Sequence, residues 1–205
     1  LILRGSSCME TDIMERVFTY VINADDKIDG VSSEWLQFAR ENQASHLNAE
    51  TVIGRSLFEF MSNEETRHLY GMILERVRQS ESEVVLSFRC DGPSVRRYME
   101  LDVSPMAGGH VQFRSWVVRE EERETVPLFD SLSWRSEEFL MVCSWCKRVE
   151  VEADWLEVED AVERRELFSQ TRLPQISHGI CPECSTQLRR QVKQQLTSGE
   201  LRSRP

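Results

Sequence analysis

Two C-x-x-C pairs, Cys143-Ser144-Trp145-Cys146 and Cys181-Pro182-Glu183-Cys184, restrict this chain more than any other feature. A two-residue spacer lets one tight turn aim both sulfurs at the same point. Two such turns supply the four soft donors that a tetrahedral zinc ion takes. Pro182 fixes φ in the second turn, and Ser177-His178-Gly179-Ile180 ahead of it is dense in turn formers. The spacing therefore assigns Cys143, Cys146, Cys181 and Cys184 to one zinc site. Four thiolates close the shell and leave no position for water, which argues against zinc-assisted hydrolysis. His178 is then expected beside the metal or in a turn rather than on the ion. Lys147 and Arg148 would offset the negative charge of a four-thiolate centre.

Six cysteines are an even set, so a disulfide framework is the competing reading. The acidic composition, the pairing of the cysteines and a beginning without a secretory pattern favour reduced thiols in the cytoplasm. Cys90 ends an alternating strand pattern and is expected to pack as a small apolar residue, with Cys8 on a loose end. Leu1 stands where Met is usual, and Met9 offers an alternative start that would make Leu1–Cys8 an upstream extension. The net charge of −10 opposes a sequence-independent hold on nucleic acid. No apolar run approaches the length of a membrane span. Apolar residues at 40% and charged residues at 29% are ordinary for a globular protein.

Hydrophobic periodicity orders the first half of the chain. Arg16–Ile22 is β-branched and aromatic and reads as a strand, followed by a turn at Asn23–Lys27 and a short strand at Ile28–Val31. Ser32 or Ser33 can cap a helix over Glu34–Asn42, with Trp35, Phe38 and Ala39 on one face. Ser62 and Glu65 read as a capping box opening a helix to about Gln79. Three alternating strands follow, around Val84–Cys90, Tyr98–Val103 and Val111–Trp116, separated by Gly- and Pro-rich turns. Strands on either side of a helical block give an α+β unit, a five-stranded antiparallel sheet with helices on one face.

Within this order, Asn23-Ala-Asp-Asp-Lys-Ile-Asp29, Trp35-Leu-Gln-Phe-Ala39 and Val52-Ile-Gly-Arg-Ser-Leu-Phe58 make residues 12–119 resemble a PAS domain. Phe88-Arg-Cys-Asp-Gly-Pro93, Arg96-Arg97, Cys143-Ser-Trp-Cys-Lys-Arg-Val149 and Ser177-His-Gly-Ile-Cys-Pro-Glu-Cys184 extend the likeness. Together they resemble bacterial stand-alone PAS proteins with a C-terminal cysteine module, a zinc-ribbon-like unit also attached to some sensor kinases and response regulators. The resemblance implies a signalling role, with the PAS unit as sensor or protein-interaction module and a homodimer through it. It names no signal.

The organisation expected is an extension at 1–11, the PAS unit at 12–119, a solvated linker at 120–138, the four-cysteine module at 139–185 and a basic helix and tail at 186–205. The run Glu120–Glu124 and Pro127 suggest the linker, with a coupling helix as the alternative. Trp155–Val158 reads as a strand and Glu159–Phe168 as a helix. Trp155, Leu156, Val162 and Phe168 offer little core, which is a second argument for a stabilising metal. Ser185–Ser198 fits a helix with Leu188, Val192 and Leu196 on one face and Gly199 at its stop. From Ser185 to Pro205 five basic residues face Glu200 alone, either a solvated end or a patch for an acidic partner or nucleic acid.

The expected inward set of the sheet unit is Phe18, Tyr20, Trp35, Phe38, Phe58, Phe88 and Phe113 with Val52, Ile53, Leu69, Ile73, Leu86 and Leu101. It carries no reactive cysteine for flavin, and His46, His68 and His110 are scattered, so neither haem nor flavin is expected. Arg55, Arg89, Arg96 and Arg97 would serve a cofactor only by turning inward, and exposure on strand edges is the expectation. No phosphate loop, nucleophile elbow or kinase catalytic loop is present. The expectation is a non-enzymatic cytoplasmic signalling protein acting through a protein partner. A thiol redox switch at the zinc cysteines and a DNA-contacting regulator are the alternatives.

Overall fold

The computed structural model describes residues 16–198. The readings that concern residues 1–15 (the extension, the choice of start, Cys8) and residues 199–205 (the stop at Gly199, the last basic residues) lie outside them. Strands β1 (Val17–Ile22), β2 (Ile28–Val31), β3 (Val84–Arg89), β4 (Val95–Pro105) and β5 (Val111–Glu122) form an antiparallel sheet in the order β2-β1-β5-β4-β3. Alternation sends Ile22, Val84, Leu86, Val103, Val111 and Phe113 to one face, all fully buried. Tyr20 pairs with Phe113 across β1 and β5, and their rings stack 4.5 Å apart.

Helices α1 (Ser33–Glu41), α2 (Ala49–Val52) and α3 (Glu64–Ser80) accompany the sheet. Ser32 caps α1, its hydroxyl accepting from the Trp35 amide at 3.2 Å. The face of α3 carrying Leu69, Ile73, Leu74 and Val77 shares one apolar cluster with Ile22, Leu86 and Phe113. Each such side chain contributes about 1.5–3 kcal/mol on burial. The result is the mixed α+β unit expected, with its five antiparallel strands.

Several local readings change. Asn63, not Ser62, caps α3 by accepting from the Thr66 amide, and Glu65 turns away to meet Ser185 and Arg189. Reciprocal capping boxes occur instead at Asn48/Thr51 and Ser56/Glu59. Ile53, assigned to the interior, is 46% exposed. Glu120–Glu122 is not a solvated linker: these residues end β5 and pair with Val95–Arg97 of β4.

The remainder builds a second sheet. Strands β6 (Arg135–Cys143), β7 (Val149–Val151), β8 (Asp154–Leu156) and β9 (Leu173–Gly179) lie in the order β8-β7-β6-β9, with β6 and β9 parallel. A parallel pair needs a crossover, and β7, β8 and α4 (Val158–Arg164) supply it. Helix α5 (Pro182–Ser198) ends the described chain. This unit has a core larger than its sequence suggests: Val126, Leu128, Leu140, Val142, Val149, Val151, Val158, Ala161, Val162, Leu167 and Leu173 bury together. Val126 and Leu128 come from the stretch read as linker, and Leu173 from a strand masked by Pro174 and by the turn-forming Ser177-His178-Gly179.

The two sheets do not stand apart. Trp145 lies against the outer edge of β3, with Arg89 N donating to Trp145 O at 2.7 Å and Trp145 Nε1 to Ser87 O at 2.8 Å. Leu188 and Val192 of α5 join the apolar cluster of the first sheet. Arg189 and Ser185 both donate to Glu65 of α3, at 2.7 and 2.8 Å. Beside β3, Arg89 is clasped by Asp91 and by Glu157 at 2.6 Å, while Arg123 meets Asp91 and Glu159 at 3.3 and 3.2 Å. Arg89 is therefore no exposed strand-edge arginine, and Arg96 and Arg97 are likewise paired, to Glu159 and Glu120.

Asp91 has no exposed side-chain surface and faces two guanidinium groups. Asp91→Ala leaves both buried without that counter-charge and should cost about 3 kcal/mol or more, read as a lower urea midpoint. Glu157 gives a pH signature. Burial pushes its carboxyl up, but bonds from Arg89 and Arg148 outweigh this and leave it below the usual range. The stabilisation is then complete above the unfolded value of about 4.3 and is lost as pH falls through the lower folded value. An acid-unfolding curve for Glu157→Gln should lose this dependence.

Candidate metal centre and the adjoining cavity

Cys143 is the last residue of β6, held by Cys143 N donating to Arg148 O at 2.8 Å. Lys147 N returns to Cys143 O at 3.0 Å, and Lys147 takes a left-handed φ of 63° to close the turn. Ser144 N donates to Gly179 O at 2.8 Å, so the end of β9 delivers the second pair beside the first. A Cβ at Gly179 would lie 2.6 Å from Met141 Sδ, so a larger residue there would make the flexible Met141 side chain move.

The second pair is not a free turn followed by a helix. Helix α5 begins at Pro182, a residue suited to the first helical position, so Cys184 sits in its first turn. Cys181 precedes the helix, and its sulfur accepts from the Cys184 amide at 3.4 Å. Cys143 Sγ accepts from the Cys181 amide at the same distance. A helix N-terminus favours thiolate.

The four sulfurs lie within 4.8 Å of one another, and these four cysteines could hold a metal ion. The fit can be tested on geometry. Zinc–sulfur bonds of about 2.3 Å make a tetrahedron with edges of about 3.8 Å, and Cys146 Sγ stands 3.8 Å from Cys181 Sγ. Cys143, Cys181 and Cys184 are buried, Cys146 is half-buried, and all four are free thiols. His178, on β9 opposite Val142, is exposed and outside the sulfur group. Arg148 is tied to Glu183 and Glu157, and Lys147 Nζ to Ser144 O at 2.9 Å. Cys90 lies apart, half-buried against Phe18, Met99 and Val117, and burial pushes its thiol up.

Packed this closely, four thiols cannot all ionise unaided. Hydrogen bonds from Cys146 and Cys184 hold Cys143 far below the usual thiol range. Its bond to Cys143 pushes Cys146 up to about 12, and Cys184 rises for the same reason. A divalent cation removes that conflict and displaces the protons.

Beside the cysteines lies a cavity of about 630 Å³. Tyr20, Leu101 and Ser115 contribute from the first sheet, Thr66, Arg67 and Tyr70 from α3, and Ser144, Trp145 and Lys147 from the first cysteine turn. Trp145 meets Tyr70 edge-on at 6.1 Å and Phe88 at 6.2 Å. Tyr20, Phe88 and Leu101 belong to the anticipated inward set, but the wall built by Trp145 and Lys147 could not be anticipated. Those residues read as turn and counter-charge, and only the fold carries them to β3.

No protein-family model and no curated protein matches this chain. Among solved structures it is similar to a sensory box sensor histidine kinase from Vibrio cholerae, with a TM-score of 0.41 and 17% identity over 53% of this chain and 86% of that one.

Metal titrated into the reduced, metal-free protein should saturate at one ion per chain. With Cys146 and Cys184 protonated at neutral pH, each ion bound should release at least two protons, and affinity should fall as pH is lowered. Calorimetry in buffers of different ionisation enthalpy measures this release. Cys181→Ser should abolish stoichiometric uptake.

Proposed function

We propose that this chain is a non-enzymatic cytoplasmic signalling protein in which a PAS-type sensor unit is coupled to a structural zinc site and reports to a protein partner. The observation that carries the reading is the contact of Trp145 with β3. The residue between two cysteine ligands pairs with the edge strand of the first sheet through main chain and indole alike. A change in either unit is felt directly by the other. The buried all-sulfur donor set suits zinc, and a closed shell suits a structural ion rather than a catalytic one. Dimerisation through the sensor unit, and a partner that reads the joined surface, belong to the same proposal.

Nucleic acid is not part of this reading. Arg189, one of the basic residues of α5, is paired with Glu65 of α3, which leaves Arg190 and Lys193 as its unpaired exposed cations among the described residues. A thiol switch is the competing use of the same cysteines. Burial of three of the four sulfurs predicts slow attack by peroxide.

Elemental analysis of the protein as purified should give about one zinc per chain, and its absorption spectrum should show neither a Soret band nor flavin peaks. Metal-free protein with an intact C-terminal fold would defeat the structural-zinc reading. Release of zinc within minutes by mild peroxide, reversed by reductant and zinc, would favour the switch instead.

A further inference from the structure

We propose that the cavity walled by the first cysteine turn binds a small planar aromatic carboxylate, and that this shared wall couples the ligand to the metal. The inference rests on the sensor reading above and gives it a ligand class. Volume sets the scale: about 630 Å³ falls within the range of small-molecule sites and accommodates a two-ring compound. Shape follows from the aromatic lining. Trp145 packs on Tyr70 and Phe88 at 6.1 and 6.2 Å, and together the three rings form one aromatic wall of the cavity against which a further ring can lie.

The polar lining is rich in donors. Burial pushes the Tyr70 phenol up to about 12 and the Tyr20 phenol well above its usual value, so both stay protonated and donate. Among the described residues neither hydroxyl has a hydrogen-bond partner in the protein, although both tyrosines line the cavity. Two cations stand at the rim. Arg67 Nε is occupied by Met61 O and Lys147 Nζ by Ser144 O, and neither faces a carboxylate among the described residues. The other charges in the lining are already engaged, Arg89 by Asp91 and Glu157, and Glu59 by Arg55 and the Ser56 amide. Neutral phenol donors plus unneutralised cations suit an anion that accepts at two oxygens.

The coupling comes from position. Ser144, Trp145 and Lys147 lie within or beside the Cys143–Cys146 turn, so a ligand against them favours the turn conformation that holds the metal. By linkage, metal and ligand then strengthen each other by one common factor.

Calorimetric titration of the full chain with naphthalene-2-carboxylate, against the uncharged naphthalene-2-carboxamide, tests this, with zinc measured on the same sample. The acid should bind at least about tenfold more tightly than the amide, as loss of charge-assisted hydrogen bonds requires. Tyr70→Phe combined with Arg67→Gln should weaken the acid by a similar factor while zinc stays at one per chain. Saturating acid should slow zinc loss to a chelator. A zinc-replete protein that ignores the acid, or binds acid and amide alike, overturns the inference and leaves the zinc reading standing. Binding of the acid with unchanged zinc loss overturns the coupling. A protein zinc-free as purified that binds the acid equally tightly with and without added zinc overturns the coupling and the zinc reading together, and one that binds nothing overturns both proposals.

Discussion

Four sulfurs can share one ion only if the end of β6 and the start of α5 are held at the same point, and most of the second sheet exists to hold them there. Parallel pairing of β6 with β9 aligns Cys143 with Gly179, two residues before Cys181. The Met141 side chain lies over Gly179 at the end of that pairing. The crossover through β7, β8 and α4 then buries its own apolar set behind the cysteine turns. This core is sizeable, so a bound metal would not be the sole support of the module. Its distinctive task would be local: it would tie one turn to one helix end, where like-charged thiolates would otherwise repel. Structural zinc sites in small fingers are worth about 10–16 kcal/mol at neutral pH, ample for that task.

The same point of convergence orients everything that touches the first sheet. The turn between Cys143 and Cys146 presents Trp145 to β3, and the helix that starts at Pro182 carries Leu188, Val192 and Arg189 onto the first core and onto Glu65. The ion cluster of Arg89, Asp91, Arg123, Glu157 and Glu159 closes the other side. A buried network of this kind adds little net stability over apolar packing, yet it penalises any misaligned docking of the two units heavily.

Legibility followed the range of the interactions. The strands and helices of the first sheet rest on periodicity and local caps, so Val17–Ile22, Ser33–Glu41 and the long helix to Ser80 stand close to where patterning put them. The cap at Asn63 shows the limit. Ser62 and Glu65 satisfy the local rule, but Arg189, more than a hundred residues on, offers Glu65 a charged partner that a backbone amide cannot match. The second sheet was legible only in pieces, because a parallel pair has no turn to announce it and β9 carries residues typical of turns. Within the cysteine centre, which sulfurs come together was readable from spacing. What lies between them was not: Trp145 reads as a spacer, and only the tertiary arrangement makes it a neighbour of Ser87.

One consequence follows for β3. It is an outer strand of its sheet, with main-chain groups facing away from β4. Such a margin invites pairing with another chain unless something blunts it. Here the cover is the Cys143–Cys146 turn, which bonds β3 through Trp145. If a metal holds this turn, its loss, or chemical loss of a single sulfur, would do more than loosen a small module. It would uncover the Ser87–Arg89 border as a template, so the first sign would be self-association of intact sheets rather than unfolding.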